Sequence, residues 1–167
     1  ITFEIGFGMG ESLIEQAIKD PDHCFIGVEV HRPGQGHFLL RAHESDLKNV
    51  KIFGDDSIAV LTAAIVDESL DCIQVFFPDP WHKKRHHKRR IINASFLALA
   101  HKKLKIGGLL HVATDWLPYA QEIAILLEGA AEFSLTSAPA RPKTKFERRG
   151  ERLGHEISDI AYQKQAC

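Results

Sequence analysis

Short apolar runs alternate with amphipathic stretches along nearly the whole chain. Residues 1–5 read as a strand, followed by a turn rich in glycine (Gly6, Gly8, Gly10). Residues 12–19 then place Leu13, Ile14, Ala17 and Ile18 on one helical face. Strands are predicted over 23–30, 49–53 and 109–113, with helices near 35–47, over 57–66 (Ile58, Leu61 and Ile65 inward) and over 116–127. Residues 70–77 form a nearly continuous apolar run, as expected of a parallel strand covered on both faces. A long helix is predicted over 89–105, stopped by Gly107-Gly108. Residues 132–137 and 156–163 read as a closing pair of strands, joined by a polar linker over 138–155.

This alternation predicts an α/β fold: a doubly wound, mostly parallel sheet with right-handed crossovers and an antiparallel C-terminal strand pair. Ligands in such folds bind beyond the carboxyl ends of the strands. Gly6–Gly10, Glu29, Asp55, Asp56, Asp79 and Asp115 all fall at such ends.

Composition narrows the class. With 167 residues, 44% hydrophobic and 26% charged, the chain is expected to be one domain of an ordinary globular protein. No apolar run approaches the ~18 residues of a membrane span, and no signal-peptide pattern precedes the first strand. Three cysteines (Cys24, Cys72, Cys167) make no even framework and no C-x-x-C pair. Cys24 and Cys72 are expected to be small core residues of a protein in a reducing cytoplasm.

The net charge of −1 hides a strong asymmetry. Residues 82–90 carry +6 and residues 141–152 carry +4, which leaves the rest of the chain at −11. An acidic body with two basic segments is a polarised molecule, and a polyanion would dock on the basic part. Two solvated loops are the plainer alternative. His82, His86 and His87 lie inside the first run without a Cys or acid at ligand spacing, so no metal site is expected.

The glycine turn alone is a weak signal, compatible with a plain tight turn. A dinucleotide fingerprint would need Gly or Ala at position 11, where this chain has Glu11, at the spot a pyrophosphate would occupy. S-adenosylmethionine has no phosphate and carries a sulfonium, so it tolerates an acidic pocket. Glu29 can accept from two ribose hydroxyls, Asp56 from an adenine amine, and Glu4 can support the glycine turn or the methionine moiety. A helix cap or a solvated charge is the alternative for each, most strongly for Asp55 and Asp56.

Asp79 stands between Pro78 and Pro80, with Trp81 next. The prolines fix φ on both sides and remove two backbone donors, and Trp81 offers a face for stacking a base. The single proline between acid and ring separates this element from the Asn/Asp-Pro-Pro-aromatic signature of amino-group methyltransferases. Guanine N7 has a free lone pair and needs no general base. A carboxylate that accepts from guanine N1–H and N2–H would orient the base and stabilise the cationic product. A turn-forming Asp after a strand is the alternative.

Several motifs then coincide in order. Glu4-Ile5-Gly6-Phe7-Gly8-Met9-Gly10, residues 27–34, residues 76–83, Ala113-Thr114-Asp115-Trp116 and Thr144-Lys145-Phe146-Glu147 together resemble the bacterial tRNA (guanine-N7)-methyltransferase family, over essentially the whole chain. The Phe-Phe-Pro-Asp-Pro-Trp and Thr-Lys-Phe-Glu elements carry most of that resemblance. It implies a Rossmann-like class I methyltransferase that transfers a methyl group from S-adenosylmethionine to N7 of a guanine in the tRNA variable loop. It also implies cofactor contacts at Glu4, Glu29, Asp56 and Asp79 beside Gly6, Gly8 and Gly10, with Asp79 catalytic. Substrate contacts are implied at Lys83, Asp115, Thr144, Lys145, Phe146 and Glu147.

Lys84, Arg85, Lys88 and Arg89 are expected to meet tRNA phosphates. Asp115 reads equally as a cap for the helix that follows it. Family members carry a segment before the first strand, so this chain is expected to be a single methyltransferase domain, residues 1–167, without that arm. The expected partner is tRNA, with no membrane and no obligatory protein partner. Alternatives are methylation of another RNA or of a protein amide, or a non-catalytic RNA-binding module of the same fold.

Overall fold

In the computed structural model, which describes residues 1–166, seven strands form one sheet in the order β3-β2-β1-β4-β5-β7-β6. β1 (Thr2–Ile5), β2 (Phe25–Val28), β3 (Val50–Phe53), β4 (Leu70–Phe76) and β5 (Leu104–Thr114) run parallel. β7 (Ser158–Lys164) lies antiparallel between β5 and β6 (Phe133–Thr136). The helices are α1 (Glu11–Lys19), α2 (Arg32–Glu44), α3 (Ser57–Ala64), α4 (Ala94–Lys103), α5 (Leu117–Glu128) and α6 (Lys145–Arg152). The doubly wound sheet and its antiparallel C-terminal pair are as the hydrophobic pattern predicts.

The two faces of the sheet differ in chemistry. Phe3, Ile73, Val75, Leu110 and Val112 pack with Leu61 of α3, Phe96 and Leu97 of α4, and Tyr119 and Ile123 of α5. A smaller cluster joins Phe7, Leu13, Ile14, Phe25 and Phe38 around α1 and α2. At the centre of the sheet, Glu4, Gln74 and His111 stand in register across β1, β4 and β5, and all three are buried. A buried polar row must find partners. Gln74 Nε2 donates to Gln16 Oε1 of α1 at 2.9 Å, and His111 Nε2 contacts Asp159 Oδ1 of β7.

Several local expectations are corrected. The helix predicted over 89–105 begins only at Ala94, where the Asn93 side chain caps it by accepting from Phe96 N–H. Before it, Lys84–Arg89 form a tight 3-10 turn. Gly107-Gly108 do not stop that helix. They lie inside β5, where the pairing with β4 shifts between Leu70 and Cys72 and the extra residues bulge outward. Ile18 and Ile58 are exposed, and Val60 takes the inward place in α3. Cys24 is exposed rather than in the core; Cys72 is partly buried, and Cys167 lies outside the described residues. The linker over 138–155 contains α6. No helix of the described residues is long and apolar enough to cross a membrane.

Candidate active site

The loops after β1, β4 and β5 and helix α6 meet above the carboxyl ends of the strands. In the first loop Gly6, Gly8 and Gly10 all take positive φ (71°, 59° and 79°). At Gly10 a Cβ would also collide with the Phe38 ring, so the turn has no room for a side chain there. Glu29, after β2, fixes the same turn: its Oε2 accepts from Gly8 N–H at 2.8 Å and its Oε1 from His31 N–H at 2.9 Å. A cavity of about 330 Å³ opens over this turn, floored by Glu4, Gly6 and Gly8 and roofed by Thr144, Lys145 and Phe146.

Glu4 is only 2% exposed, and its Oε2 has no hydrogen-bond partner. Burial pushes its carboxyl up to about 8, against the pull of the Arg141 charge and with the nearby Glu29 adding to the rise. An orphaned buried acid facing a glycine-turn cavity fits a cationic ligand group, and Glu11 at the start of α1 disfavours a pyrophosphate there, although Lys145, Arg149 and Arg152 also line the cavity. The unpartnered Glu4 carboxyl and the side-chain-free turn fit S-adenosylmethionine.

The second loop carries Asp79. Phe77 and Trp81 both have positive φ (52° and 45°), a conformation that costs a bulky residue ~1–2 kcal/mol. Such strain persists only where the surroundings impose it. Here Phe77 N–H donates to Ala113 O at 2.7 Å, Trp81 N–H to Asp79 Oδ1 at 2.9 Å, and Arg90 Nε to Pro80 O at 2.8 Å. Asp79 is exposed and faces a cavity of about 420 Å³ whose walls include Asp115, Phe146, Arg149 and His155. Asp115 Oδ2 lies 3.0 Å from His155 Nδ1. Phe146 and Arg149 belong to the walls of both cavities, so α6 separates and joins them.

Of the residues singled out in the sequence, the structure brings Asp79, Asp115 and Phe146 to one cavity, and Glu4, the three glycines, Thr144, Lys145 and Phe146 to the other. Asp79 thus faces the second cavity, not the one over the glycine turn. Glu29, Asp56, Lys83 and Glu147 line neither. Asp56 Oδ1 caps α3 by accepting from Ala59 N–H at 2.9 Å, and Asp55 Oδ1 accepts from Asp56 N–H. Asp79 Oδ1 makes a turn contact, as a plain turn former would, which leaves Oδ2 for a ligand. Thr144 caps α6 through Glu147 N–H at 3.1 Å, and Glu147 is buried against Arg141.

Lys83, Lys84, Arg85, Lys88 and Arg89 are exposed, whereas Arg90 at the end of the run is turned inward, 3% exposed and paired with Glu122. Trp81 is not a free stacking surface: Arg89 lies 4.9 Å over its ring and His86 meets it edge-on at 5.7 Å. Sequence reasoning does not single out Arg90, Arg141, Arg149 or His155. Only their membership of the basic segments and the linker marks them. Among the described residues, no three His, Cys, Asp or Glu side chains cluster as a metal ion would require.

Glycine turn, acidic strand ends and sheet order define a methyltransferase of the S-adenosylmethionine-dependent class. Solved structures with this fold include an rRNA methylase from Streptococcus thermophilus (TM-score 0.66, 11% identity, 99% of this chain and 86% of that one). Another is the O-methyltransferase TomG from Streptomyces achromogenes, solved with SAM (TM-score 0.69, 15% identity, 99% and 73%). The profile of the family described as "Putative methyltransferase" matches residues 1–160. A tRNA (guanine-N(7)-)-methyltransferase of Alcanivorax borkumensis is 48% identical, and one of Pseudomonas fluorescens strain SBW25 is 53% identical, each over 99% of this chain and 72% of the relative. The chain belongs to the bacterial tRNA (guanine-N7)-methyltransferase family.

Proposed function

We propose that this chain methylates N7 of a guanine in tRNA, in the variable loop, and that its S-adenosylmethionine binds over the glycine turn. The observation that carries this reading is the pair of cavities with a common wall at Phe146 and Arg149, one floored by Glu4 and the glycines, the other faced by Asp79 and Asp115. A donor in the first and a base in the second would meet at that wall.

S-adenosylmethionine, when bound, supplies a methyl group on a cationic sulfur. Glu4 would receive its ammonium end and Glu29, through the lone pairs left by Gly8 and His31, its ribose diol; Asp56, outside the cavity and committed through Oδ1 to the cap of α3, would have only Oδ2 for the adenine amine. Asp79 and Asp115 hold the guanine by accepting from its N1–H and N2–H, which turns the N7 lone pair toward the methyl group. No proton leaves N7 in the attack, so Asp79 acts by orientation and by stabilising the positive charge that arrives on the purine. Lys83, Lys84, Arg85, Lys88 and Arg89 contact tRNA phosphates on one side, and Lys145 and Arg149 of α6 extend the basic surface on the other. The chain works as one domain in the cytoplasm, with no obligatory protein partner and no metal.

The test uses labelled S-adenosylmethionine and two tRNA transcripts, one ordinary and one made with 7-deazaguanosine, which has no N7 lone pair. Label in the first and none in the second is expected. Equal labelling of both would refute N7 as the acceptor.

A further inference from the structure

Arg141 lines neither of these two cavities, yet it touches three of the elements around them. Its side chain is 4% exposed. One terminal nitrogen donates to Glu147 Oε2 of α6 at 2.6 Å and the other to Asp159 Oδ2 of β7 at 2.7 Å. The flat guanidinium lies 4.6 Å from the Phe76 ring at the end of β4 and 5.9 Å from the Phe77 ring. The other oxygen of Asp159 contacts buried His111. Partial burial raises the Asp159 carboxyl, but the His111 hydrogen bond and the Arg141 charge hold it below the usual carboxylate range. A planar cation with donors in a fixed fork can satisfy two carboxylates and cover an aromatic face at once, and an ammonium cannot.

We propose that Arg141 is a positioning residue, pinning α6 to the ends of β4 and β7 so that Phe146 and Arg149 wall both cavities in the geometry methyl transfer needs. Glu147 then serves the reaction through Arg141 and not by touching the base. The catalytic consequence rests on the function proposed above; the pinning of α6 does not. Thr144 caps the first turn of α6 from within its own segment, and the ion pair of Arg141 with Glu147 ties that turn to the sheet.

Arg141→Lys, Arg141→Met and Glu147→Gln test it, by trypsin nicking after Arg149 and Arg152 located by mass spectrometry, and by steady-state methylation of tRNA. Arg141 itself precedes Pro142 and is a poor tryptic site. Nicking confined to α6 is expected to speed up about tenfold in Arg141→Met, the factor that about 1.4 kcal/mol of lost anchoring gives. Arg141→Lys should fall between Arg141→Met and wild type. The turnover number should drop at least about tenfold, while the Kd for tRNA changes less than about threefold, because the phosphate contacts of Lys83, Lys84, Arg85, Lys88 and Arg89, away from α6, remain. Glu147→Gln should reproduce the effect, and the double variant should be no worse than Arg141→Met alone.

Wild-type nicking and turnover in Arg141→Met would overturn the proposal. So would nicking spread over the whole chain in Glu147→Gln, the mildest change, since that is plain destabilisation. If the wild-type enzyme leaves tRNA unmethylated, the proposed function fails, and the nicking pattern still decides what Arg141 does.

Discussion

Arg90 Nε donates to the carbonyl oxygen of Pro80 at 2.8 Å, so the last residue of the basic run holds the loop that carries Asp79. The same guanidinium pairs with Glu122 of α5 and lies 4.6 Å over the Tyr119 ring. Arg90→Met should therefore behave as a core substitution. A cost of about 2–3 kcal/mol is expected, less than for a fully buried pair because Glu122 is half-exposed. In a domain of this size that lowers Tm by about 5–10 °C, and methyl transfer should fall with the loosened loop. Thermal unfolding beside a transfer assay checks both.

Lys88 stands two residues earlier and is exposed. Lys88→Ala should leave stability within about 0.5 kcal/mol. It should weaken tRNA binding and lower the slope of log K against log salt by about one ion. An unchanged slope in a salt titration would assign this lysine to solvent.

Gly150 shows where a helix rule reverses. Replacing a mid-helix glycine by alanine usually stabilises a helix by ~1 kcal/mol. Here the added Cβ would lie 3.2 Å from Asp115 Oδ2 and 3.3 Å from Ile157 Cδ1. Gly150→Ala should instead displace Asp115 or α6, with loss of transfer and no gain in Tm. A rise in Tm with full activity would contradict the close packing of α6 on Asp115.

These residues also mark how far the sequence is legible. The nearly continuous apolar run of β4, and Glu4 with the glycines that follow β1, are local signals, and both the sheet and the floor of the site follow from them. Helix α6 is not legible, because its eight residues carry only Phe146 as an apolar side chain. What holds it is Arg141 and the Thr144 cap, and a pairing with Asp159 across the sheet leaves no periodic trace. The boundary of α4 is hidden for a related reason: Leu104, inside an apparent helical pattern, begins β5, and only the pairing with Leu70 settles that. The basic run looks uniform in the sequence, while folding divides it into exposed lysines and an inward Arg90.

Glu4 gives the site a pH signature. Its carboxyl is raised to about 8 in the folded chain, from an ordinary value of 4.5. Between those values the folded state binds a proton that the unfolded state has lost, so stability falls as pH rises through this window, by up to about 4–5 kcal/mol. Glu4→Gln should flatten that part of the stability–pH curve. A cationic ligand favours the ionised acid, so binding of S-adenosylmethionine near pH 7 should release protons. Calorimetry in two buffers of different ionisation heat reads this directly, and equal heats in both would count against Glu4 as the partner of the cation.

The most direct measurement compares wild type with Asp79→Ala, using labelled S-adenosylmethionine and unmodified tRNA, then digestion to nucleosides. Binding of tRNA to each protein is recorded in parallel. Wild type is expected to place the label in 7-methylguanosine, and Asp79→Ala to bind tRNA nearly as well while transferring at least about a hundredfold more slowly. Label in another nucleoside, or full transfer by Asp79→Ala, would contradict an Asp79 that orients guanine for attack through N7.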